Sequence, residues 1–355
     1  MTVAVDDERF MRQALRLAKR ASGRTSPNPV VGAVVVRSGK VVGTGYHRAA
    51  GKPHAEVIAL RSARNQARGA VIYTTLEPCA HQGRTPPCVA AIRRAGIKRV
   101  VAAMRDPDPR TNGRGFRALR HAGIAVATGV LEQDAAAVNE GFTSRVRRGR
   151  PFVVVKLAMT LDGRVGVHGR RYLSGAKALR FAHRLRDQSD AILVGIGTVL
   201  ADDPELTVRA VRGRDPLRVI VDSGARTPVN AKVLGRDRSR TVIFVGKRAD
   251  QRRTQALRAT GTAVVVLPSG AGGLSLRAAL RWLGRHGINT VLSEAGPRVA
   301  STLVREGLAD RLLLVYVPIA GGSGPHALPD RMPSKGYRNL RARRLGGDVA
   351  LVADL

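Results

Sequence analysis

The chain has 355 residues, room for two domains of ordinary size, and its 44% apolar content excludes an extensively disordered protein. No apolar run reaches the roughly 18 residues of a membrane span. Residues 1–7 are acidic rather than leader-like, so no membrane association and a cytoplasmic location are expected. The 61 basic against 26 acidic residues leave a net charge of +35, which raises a nucleic-acid surface as one reading. The other reading is arginine dispersed over helix faces, since no long basic block occurs and 3% aromatic content offers little for base stacking. On that second reading no specific nucleic acid is expected, and the positive field serves to recruit phosphorylated small molecules.

Residues 7–21 carry Phe10, Ala14, Leu17 and Ala18 at helical spacing and predict an opening helix. β-Branched runs at 30–36 and 40–45 flank Ser38-Gly39 and predict a hairpin. Residues 54–64 read as a helix with His54 and Glu56 in its first turn, and 70–74 as a strand. A helix at 87–95 is opened by Pro86-Pro87 and closed by Gly96. A strand at 98–103 and the segments 116–121 and 124–127 continue the alternation. A helix over 134–147 is broken at Gly149-Arg150-Pro151, which divides the chain into domains 1–148 and 149–355. The second domain opens with a strand at 152–157, a helix at 176–187 and a strand at 191–194, followed by strands at 217–221, 241–245 and 263–267. A helix at 274–286, a strand at 289–292, a helix from Pro297 and a strand at 312–317 complete it. Both halves are α/β; repeated strand–helix units in the second predict a largely parallel sheet covered on both faces.

Three segments carry chemistry: His54-Ala55-Glu56, Glu77-Pro78-Cys79 and Cys88. The two cysteines are the whole complement; a disulfide between them is one reading, but an intracellular chain rarely keeps one. The other is zinc. A catalytic zinc takes three protein ligands and leaves a fourth position for water, which becomes a nucleophile near neutral pH. A non-ligand carboxylate two residues beyond the His can carry the proton to a leaving nitrogen. The pattern H-x-E…P-C-x-x-C marks zinc nucleobase deaminases, and this chain departs from it in having eight residues rather than two between Cys79 and Cys88. His54, Cys79 and Cys88 are thus the candidate metal ligands, and Glu56 the candidate general acid/base. A helix N-terminus suits both the carboxylate and the metal site, since its dipole favours negative charge.

The segments Pro27-Asn28-Pro29-Val30-Val31-Gly32, Gly45-Tyr46-His47, Pro53-His54-Ala55-Glu56 and Thr75-Leu76-Glu77-Pro78-Cys79 resemble the riboflavin-biosynthesis pyrimidine deaminases. So does His81-Gln82-Gly83-Arg84-Thr85-Pro86-Pro87-Cys88, whose length and ending distinguish this group from cytidine and tRNA-adenosine deaminases. The resemblance implies a cytidine-deaminase-like three-layer αβα domain. It assigns His54, Cys79 and Cys88 to zinc, Glu56 to proton transfer, and Asn28 and His47 to holding the pyrimidine. His81, Arg84 and Thr85 would lie near the substrate, with Arg84 on its phosphate. A turn residue between two prolines is the alternative reading of Asn28. Asp106-Pro107-Asp108-Pro109 and Gly113-Arg114-Gly115 also match, with a turn role equally open to them.

The second half lacks G-x-G-x-x-G. Its candidate features are residues 156–164, residues 195–204 and Glu294-Ala295-Gly296-Pro297, the last a strand-to-helix turn whose amides can hold a phosphate or whose small residues serve packing. These segments resemble the reductase domain fused to the same deaminases, which implies a dihydrofolate-reductase-like α/β domain with NADPH as hydride donor. The resemblance puts Ala158, Tyr172, Thr198, Asp202, Ser223, Gly296, Pro297, Arg298, Val299, Ala300, Ser301 and Thr302 at cofactor positions. Arg170, Arg186, Leu206, Arg209 and Glu294 fall at substrate positions, the arginines gripping a ribose phosphate in fork geometry. No side chain stands out as proton donor to the reduction; Asp202 is a candidate.

The expectation is therefore a bifunctional enzyme holding one zinc ion and NADPH. It would deaminate 2,5-diamino-6-(5-phosphoribosylamino)pyrimidin-4-one and then reduce the ribosyl group of 5-amino-6-(5-phosphoribosylamino)uracil. A homo-oligomer, dimer or tetramer, formed through the second domain is expected. The rivals are an RNA- or nucleoside-directed zinc deaminase with an inactive or repurposed second domain, and a binding protein whose sites have decayed.

Overall fold

A computed structural model describes residues 5–83, 85–169, 173–235, 237–270, 273–328 and 336–355. The chain divides into two compact units, Met1–Gly149 and Arg150–Leu355. No helix among the described residues is long and apolar enough to cross a membrane.

In the first unit, helix α1 (Val5–Lys19) precedes the hairpin β1 (Gly32–Arg37) and β2 (Lys40–Tyr46). The hairpin turns at Ser38 and Gly39, both with positive φ, the backbone twist that tight hairpins favour. Next come α2 (Ala55–Ala63), β3 (Val71–Thr74), α3 (Cys88–Arg94), β4 (Arg99–Ala102), α4 (Arg114–His121), β5 (Ala125–Thr128), α5 (Glu132–Val138) and α6 (Glu140–Arg148). The sheet runs β2-β1-β3-β4-β5, with β1 antiparallel to both neighbours and β3, β4 and β5 parallel. A Cβ on Gly32 would run into the α1 backbone at Ala14 and Ala18, whereas one on Gly43 or Gly45 would run into α2 at Ala55, Ala59 and Ala63. Gly32 pairs with Tyr46 and Ala33 with Gly45, so these glycines face opposite sides of the sheet. Helices therefore cover both faces, and the three-layer αβα arrangement follows. Buried Asp7 fastens α1 to the sheet, accepting from the Tyr73 hydroxyl (2.7 Å) and from Arg99 Nη2 (2.8 Å).

The single helix expected over 134–147 is two helices broken at Asn139. The Asn139 side chain clasps the backbone of Val30, accepting from its N–H at 2.8 Å and donating to its carbonyl at 3.0 Å. That clasp holds residue 139 at φ −112°, ψ 17°, outside the helical well, and fixes the loop that carries Asn28.

The second unit comprises β6 (Phe152–Met159), α7 (Ala176–Gln188), β7 (Ala191–Gly195), α8 (Ile196–Asp202), β8 (Leu217–Val221), β9 (Thr241–Gly246), α9 (Gln251–Ala259) and β10 (Ala263–Leu267). A two-rung hairpin, β11 (Ser269–Gly270) with β12 (Gly273–Leu274), leads to α10 (Leu276–Arg285), β13 (Thr290–Ser293), α11 (Pro297–Arg305) and β14 (Arg311–Tyr316). The chain closes with β15 (Arg338–Leu345) and β16 (Asp348–Asp354). The main sheet runs β10-β9-β8-β7-β13-β6-β14-β16-β15, parallel as far as β14, after which β16 and β15 are added antiparallel. Strand β7 shows why the centre is buried on both faces. Ala191 and Leu193 join a core with α10 and α11, while Ile192 and Val194 join one with α8 and α9. Helices α8 and α9, the small hairpin β11–β12 and the final hairpin were not expected from the sequence. Strand β15 is exposed over its first seven residues and lacks the apolar alternation that marks a half-buried strand.

Candidate functional sites

His54 is the N-cap of α2 rather than part of its first turn, with extended backbone at φ −71°, ψ 162°. Glycines 43 and 45 let α2 lie close on β2, which fixes where this cap stands. Cys88 is the first residue of α3, after the N-cap Pro87. Cys79 stands in the loop beyond β3 rather than at the strand's close. Its carbonyl accepts from Val89 N–H at 3.2 Å and its sulfur from Cys88 N–H at 3.4 Å, so the start of α3 grips the loop at two points.

His54 Nδ1 lies 3.2 Å from Cys88 Sγ and 3.6 Å from Cys79 Sγ, and all three ligand atoms fall within 4.8 Å of one another. Tetrahedral zinc with bonds of about 2.0–2.3 Å needs ligand atoms roughly 3.3–3.8 Å apart. This donor set fits zinc. Both cysteines are free thiols, which answers the disulfide alternative. Hydrogen bonding from the Cys88 thiol, with His54 and the Cys88 N–H adding to it, pulls the Cys79 thiol down, while the same contact and burial push Cys88 up. His54 Nε2 faces Thr85 Oγ1 at 3.2 Å, a partner that orients the ring with Nδ1 toward the sulfurs.

Glu56, in the first turn of α2, is 3% exposed. Burial, reinforced by the charge of Cys79 and opposed by His54, pushes its carboxyl up to about 6, near the value that suits proton transfer at neutral pH. Buried His47 donates from Nδ1 to the Pro53 carbonyl (3.1 Å) and accepts at Nε2 from the Asn28 amide (3.0 Å). Burial and the neighbouring His54 hold its pKa down against the Pro53 bond, so it stays neutral. A cavity of about 330 Å³ brings Asn28, His47, His54, Glu56, Cys79 and Thr85 together.

Its opposite wall was mostly missed in the sequence. Asp106, Asp108, Arg110 and Thr111 line it, together with Arg145 from α6. Burial and the adjacent Asp108 and Glu77 push Asp106 up to about 7, against a hydrogen bond from Asp108 N–H. Arg110 forks onto Asp108 at 2.6–3.1 Å, and Thr111 meets His81 Nδ1 at 3.3 Å. The signal was the run Asp106-Pro107-Asp108-Pro109, which a turn explains equally well. Arg84 lies outside the described residues.

In the second unit, α8 and α11 start at the carboxyl ends of adjacent parallel strands β7 and β13. Their N-caps, Gly195 and Gly296, are extended, and Pro297 opens α11. Helix N-termini offer unpaired amides to phosphate, and the carboxyl edge of a parallel sheet is where nucleotides bind. Thr198 stands beside Gly296, whose added Cβ would sit 3.8 Å from Thr198 Oγ1. Gly296, Pro297, Arg298 and Val299 form the helix start, and Ser223 is exposed just beyond β8. These residues fit a dinucleotide. Ala158 lies half-buried on β6 and Asp202 closes α8. Ala300 is in the core, Ser301 is half-buried, and the Thr302 hydroxyl donates to the Arg298 carbonyl at 2.9 Å. Arg170 and Tyr172 lie outside the described residues.

The substrate positions converge, with one surprise. Arg186 of α7 forks onto Glu294 at 3.0 and 2.8 Å and also donates to the Thr207 carbonyl at 3.0 Å, so two proposed substrate contacts hold each other. Burial, which would raise Glu294, is outweighed by Arg186 and Lys156, and its carboxyl is held down at about 2. Lys156, in the middle of β6, opens the candidate segment 156–164 but was given no role of its own in the sequence; it belongs to this cluster through that effect. Leu206 is buried with φ +55°, in the region a leucine rarely adopts. Arg209 keeps a half-exposed side chain, and its N–H donates to Nδ1 of buried His183 at 3.0 Å.

Residues 151–351 match the family model of the RibD C-terminal domain, and residues 4–104 that of the cytidine and deoxycytidylate deaminase zinc-binding region. Riboflavin biosynthesis protein RibD of Aquifex aeolicus is 43% identical across 90% of this chain and 88% of its own length. Among solved structures, Acinetobacter baumannii RibD superposes with a TM-score of 0.88 at 36% identity, covering 98% of both chains. A diaminohydroxyphosphoribosylaminopyrimidine deaminase/5-amino-6-(5-phosphoribosylamino)uracil reductase from Thermotoga maritima gives 0.87 at 34% identity over the same shares.

Proposed function

The chain belongs to the RibD family of bifunctional riboflavin-biosynthesis enzymes, a deaminase domain joined to a reductase domain, and on that premise we propose that the two act in succession on one phosphorylated pyrimidine. Residues 1–148 would deaminate 2,5-diamino-6-(5-phosphoribosylamino)pyrimidin-4-one. Residues 149–355 would reduce the ribosyl group of the resulting 5-amino-6-(5-phosphoribosylamino)uracil to ribityl. The observation that carries this reading is the nitrogen–sulfur–sulfur cluster, whose His54 and Cys79 line one cavity with a buried carboxyl raised to about 6.

His54, Cys79 and Cys88 would hold zinc, which would supply an activated water. Glu56 would carry a proton from the attacking water to the amino group leaving C2. Its burial keeps the proton from exchanging with solvent between those two events. Asn28, aligned by neutral His47, orients the ring, and Arg84 contacts the phosphate. Glu56→Ala should lower ammonia release by about 10²–10⁴-fold while NADPH oxidation on the deaminated intermediate persists. Wild-type ammonia release from that variant would refute the assignment.

In the second unit NADPH, when bound, would supply the hydride. Gly296, Pro297, Arg298, Val299, Ala300, Ser301 and Thr302, with Ala158, Tyr172, Thr198, Asp202 and Ser223, form its seat. Arg170, Arg186, Leu206, Arg209 and Glu294 are the substrate positions, with the arginines taking the ribose phosphate. Of the described arginines, Arg209 is the more accessible, because Arg186 already grips Glu294. Titration with NADPH tests this half directly: no binding at physiological concentrations would leave only the deaminase. A cytoplasmic location accords with two thiols that a reducing compartment keeps available as ligands. A homo-oligomer, dimer or tetramer, is part of the same reading and is checked by light scattering.

A further inference from the structure

Glu77 is 2% exposed and lines the same cavity. Its carboxylate accepts three main-chain amides from elsewhere in the fold. Oε2 takes Gly113 N–H at 2.9 Å and Asp106 N–H at 3.3 Å, and Oε1 takes Phe116 N–H at 3.2 Å. Its own N–H donates to the Met104 carbonyl at 3.0 Å. Gly113 is the N-cap of α4, and that cap receives no side-chain hydrogen bond from its own residue. Glu77 therefore supplies the first-turn acceptor for α4 from a segment 36 residues upstream. Gly115 permits the approach, since a Cβ there would run into the Pro78 carbonyl oxygen and come within 3.1 Å of Glu77 Oε1.

We propose that Glu77 is a positioning residue for the metal ligand Cys79 and for the substrate wall at once. Only Pro78, with its fixed φ, separates the anchored carboxylate from Cys79. The amides it holds, at Asp106 and Gly113, bracket the segment from which Asp106, Asp108, Arg110 and Thr111 line the cavity. One side chain thus sets the distance between the zinc ligand and the opposite wall. On the other side, α3 holds Cys79 through the Cys88 and Val89 amides. Loss of Glu77 would leave the thiolate held from one side only.

The inference rests on the zinc-deaminase reading, and the test separates the two. Full-length wild type, Glu77→Gln and Glu77→Asp are loaded with zinc, and zinc release to a chromophoric chelator is measured alongside kcat and KM for ammonia release. NADPH oxidation serves as the control for an intact second unit. Gly113→Ala is the structural control, because its φ of +77° makes alanine unfavourable while its N–H still reaches Glu77. We expect Glu77→Gln to weaken zinc affinity by about 10–100-fold, with kcat falling on the zinc-saturated enzyme. Glu77→Asp, which keeps the charge but not the reach, should show a comparable loss. Gly113→Ala should lose thermal stability but retain its zinc. Wild-type zinc affinity in both Glu77 variants would overturn the proposal. So would equal zinc loss in Gly113→Ala, which would reduce the role to general stability. A wild-type chain that takes up no zinc would remove the underlying reading and this one with it.

Discussion

Replacing Glu294 by alanine removes a carboxylate partner of Arg186, whose side chain is 12% exposed and makes two charge-assisted bonds to it. The Thr207 carbonyl also accepts from Arg186 but carries no charge to balance it. Removing one member of a buried ion pair costs about 3–5 kcal/mol, because the orphaned charge stays desolvated. The pKa gives a consistent magnitude. A carboxyl held at about 2, against an ordinary 4.5, contributes about 3 kcal/mol at neutral pH. Its folded value lies below its unfolded one, so the contribution is complete above pH 4.5 and drains away as pH falls toward 2. The chain has a single tryptophan, and Trp282 lies in α10, so its fluorescence in urea reports the second unit alone. With an m-value of about 2–3 kcal/mol/M, the midpoint at pH 7 should fall by about 1–2.5 M. The deficit relative to wild type should shrink as the measurement moves from pH 5 to pH 3. The double variant Arg186→Met/Glu294→Leu should be far less destabilised than the sum of its parts. A midpoint shift at pH 7 equivalent to less than 1 kcal/mol would refute the reasoning and mean that the pair is hydrated in solution.

Three further outcomes are expected. Gly45→Ala should push α2 off β2, lowering the melting temperature of the first unit and its zinc content together; unchanged zinc would show that the cap at His54 tolerates a displaced helix. Burial, with Arg186 and Arg209 nearby, holds His183 down at about 4. The stability it confers is therefore full above pH 6.5 and lost as pH falls toward 4, and His183→Asn, which keeps an acceptor for Arg209 N–H, should flatten the urea midpoint over that range. Asn139→Ala removes both bonds to Val30 and should cost about 1–3 kcal/mol while raising KM for ammonia release more than it lowers kcat, because the loop carrying Asn28 loosens.

What could be read from the sequence was what is local. His54, Glu56, Cys79 and Cys88 announce themselves because metal chemistry restricts both residue type and spacing, and the structure brings their ligand atoms together. The strands of the parallel sheet were legible as unbroken apolar runs because both their faces are covered. The break at Asn139 was not, since its cause is Val30, 109 residues away. The pairing of Arg186 with Glu294 spans 108 residues and was equally invisible, so the sequence did not reveal that two expected substrate positions hold each other. Helix α8, seven residues long, is too short to establish a helical period. Strand β15 shows the opposite failure: a strand that buries almost nothing has no pattern to reveal it.

That last strand bears on how the protein behaves in concentrated solution. An eight-residue edge with open backbone groups is a template on which another chain can add. Here the edge carries Arg338, Arg341, Arg343 and Arg344, with a register irregularity after Arg338 and positive φ at Asn339. Like charges brought together by strand addition repel, and the bulge bends the edge out of a straight line. A share of the +35 charge is thus expected to oppose edge-to-edge addition at this strand. Salt screens charges over about 8 Å at physiological ionic strength and about 3 Å at 1 M. The protein should therefore keep best at moderate ionic strength, and preparations in high salt should gain intermolecular β-structure first at this rim.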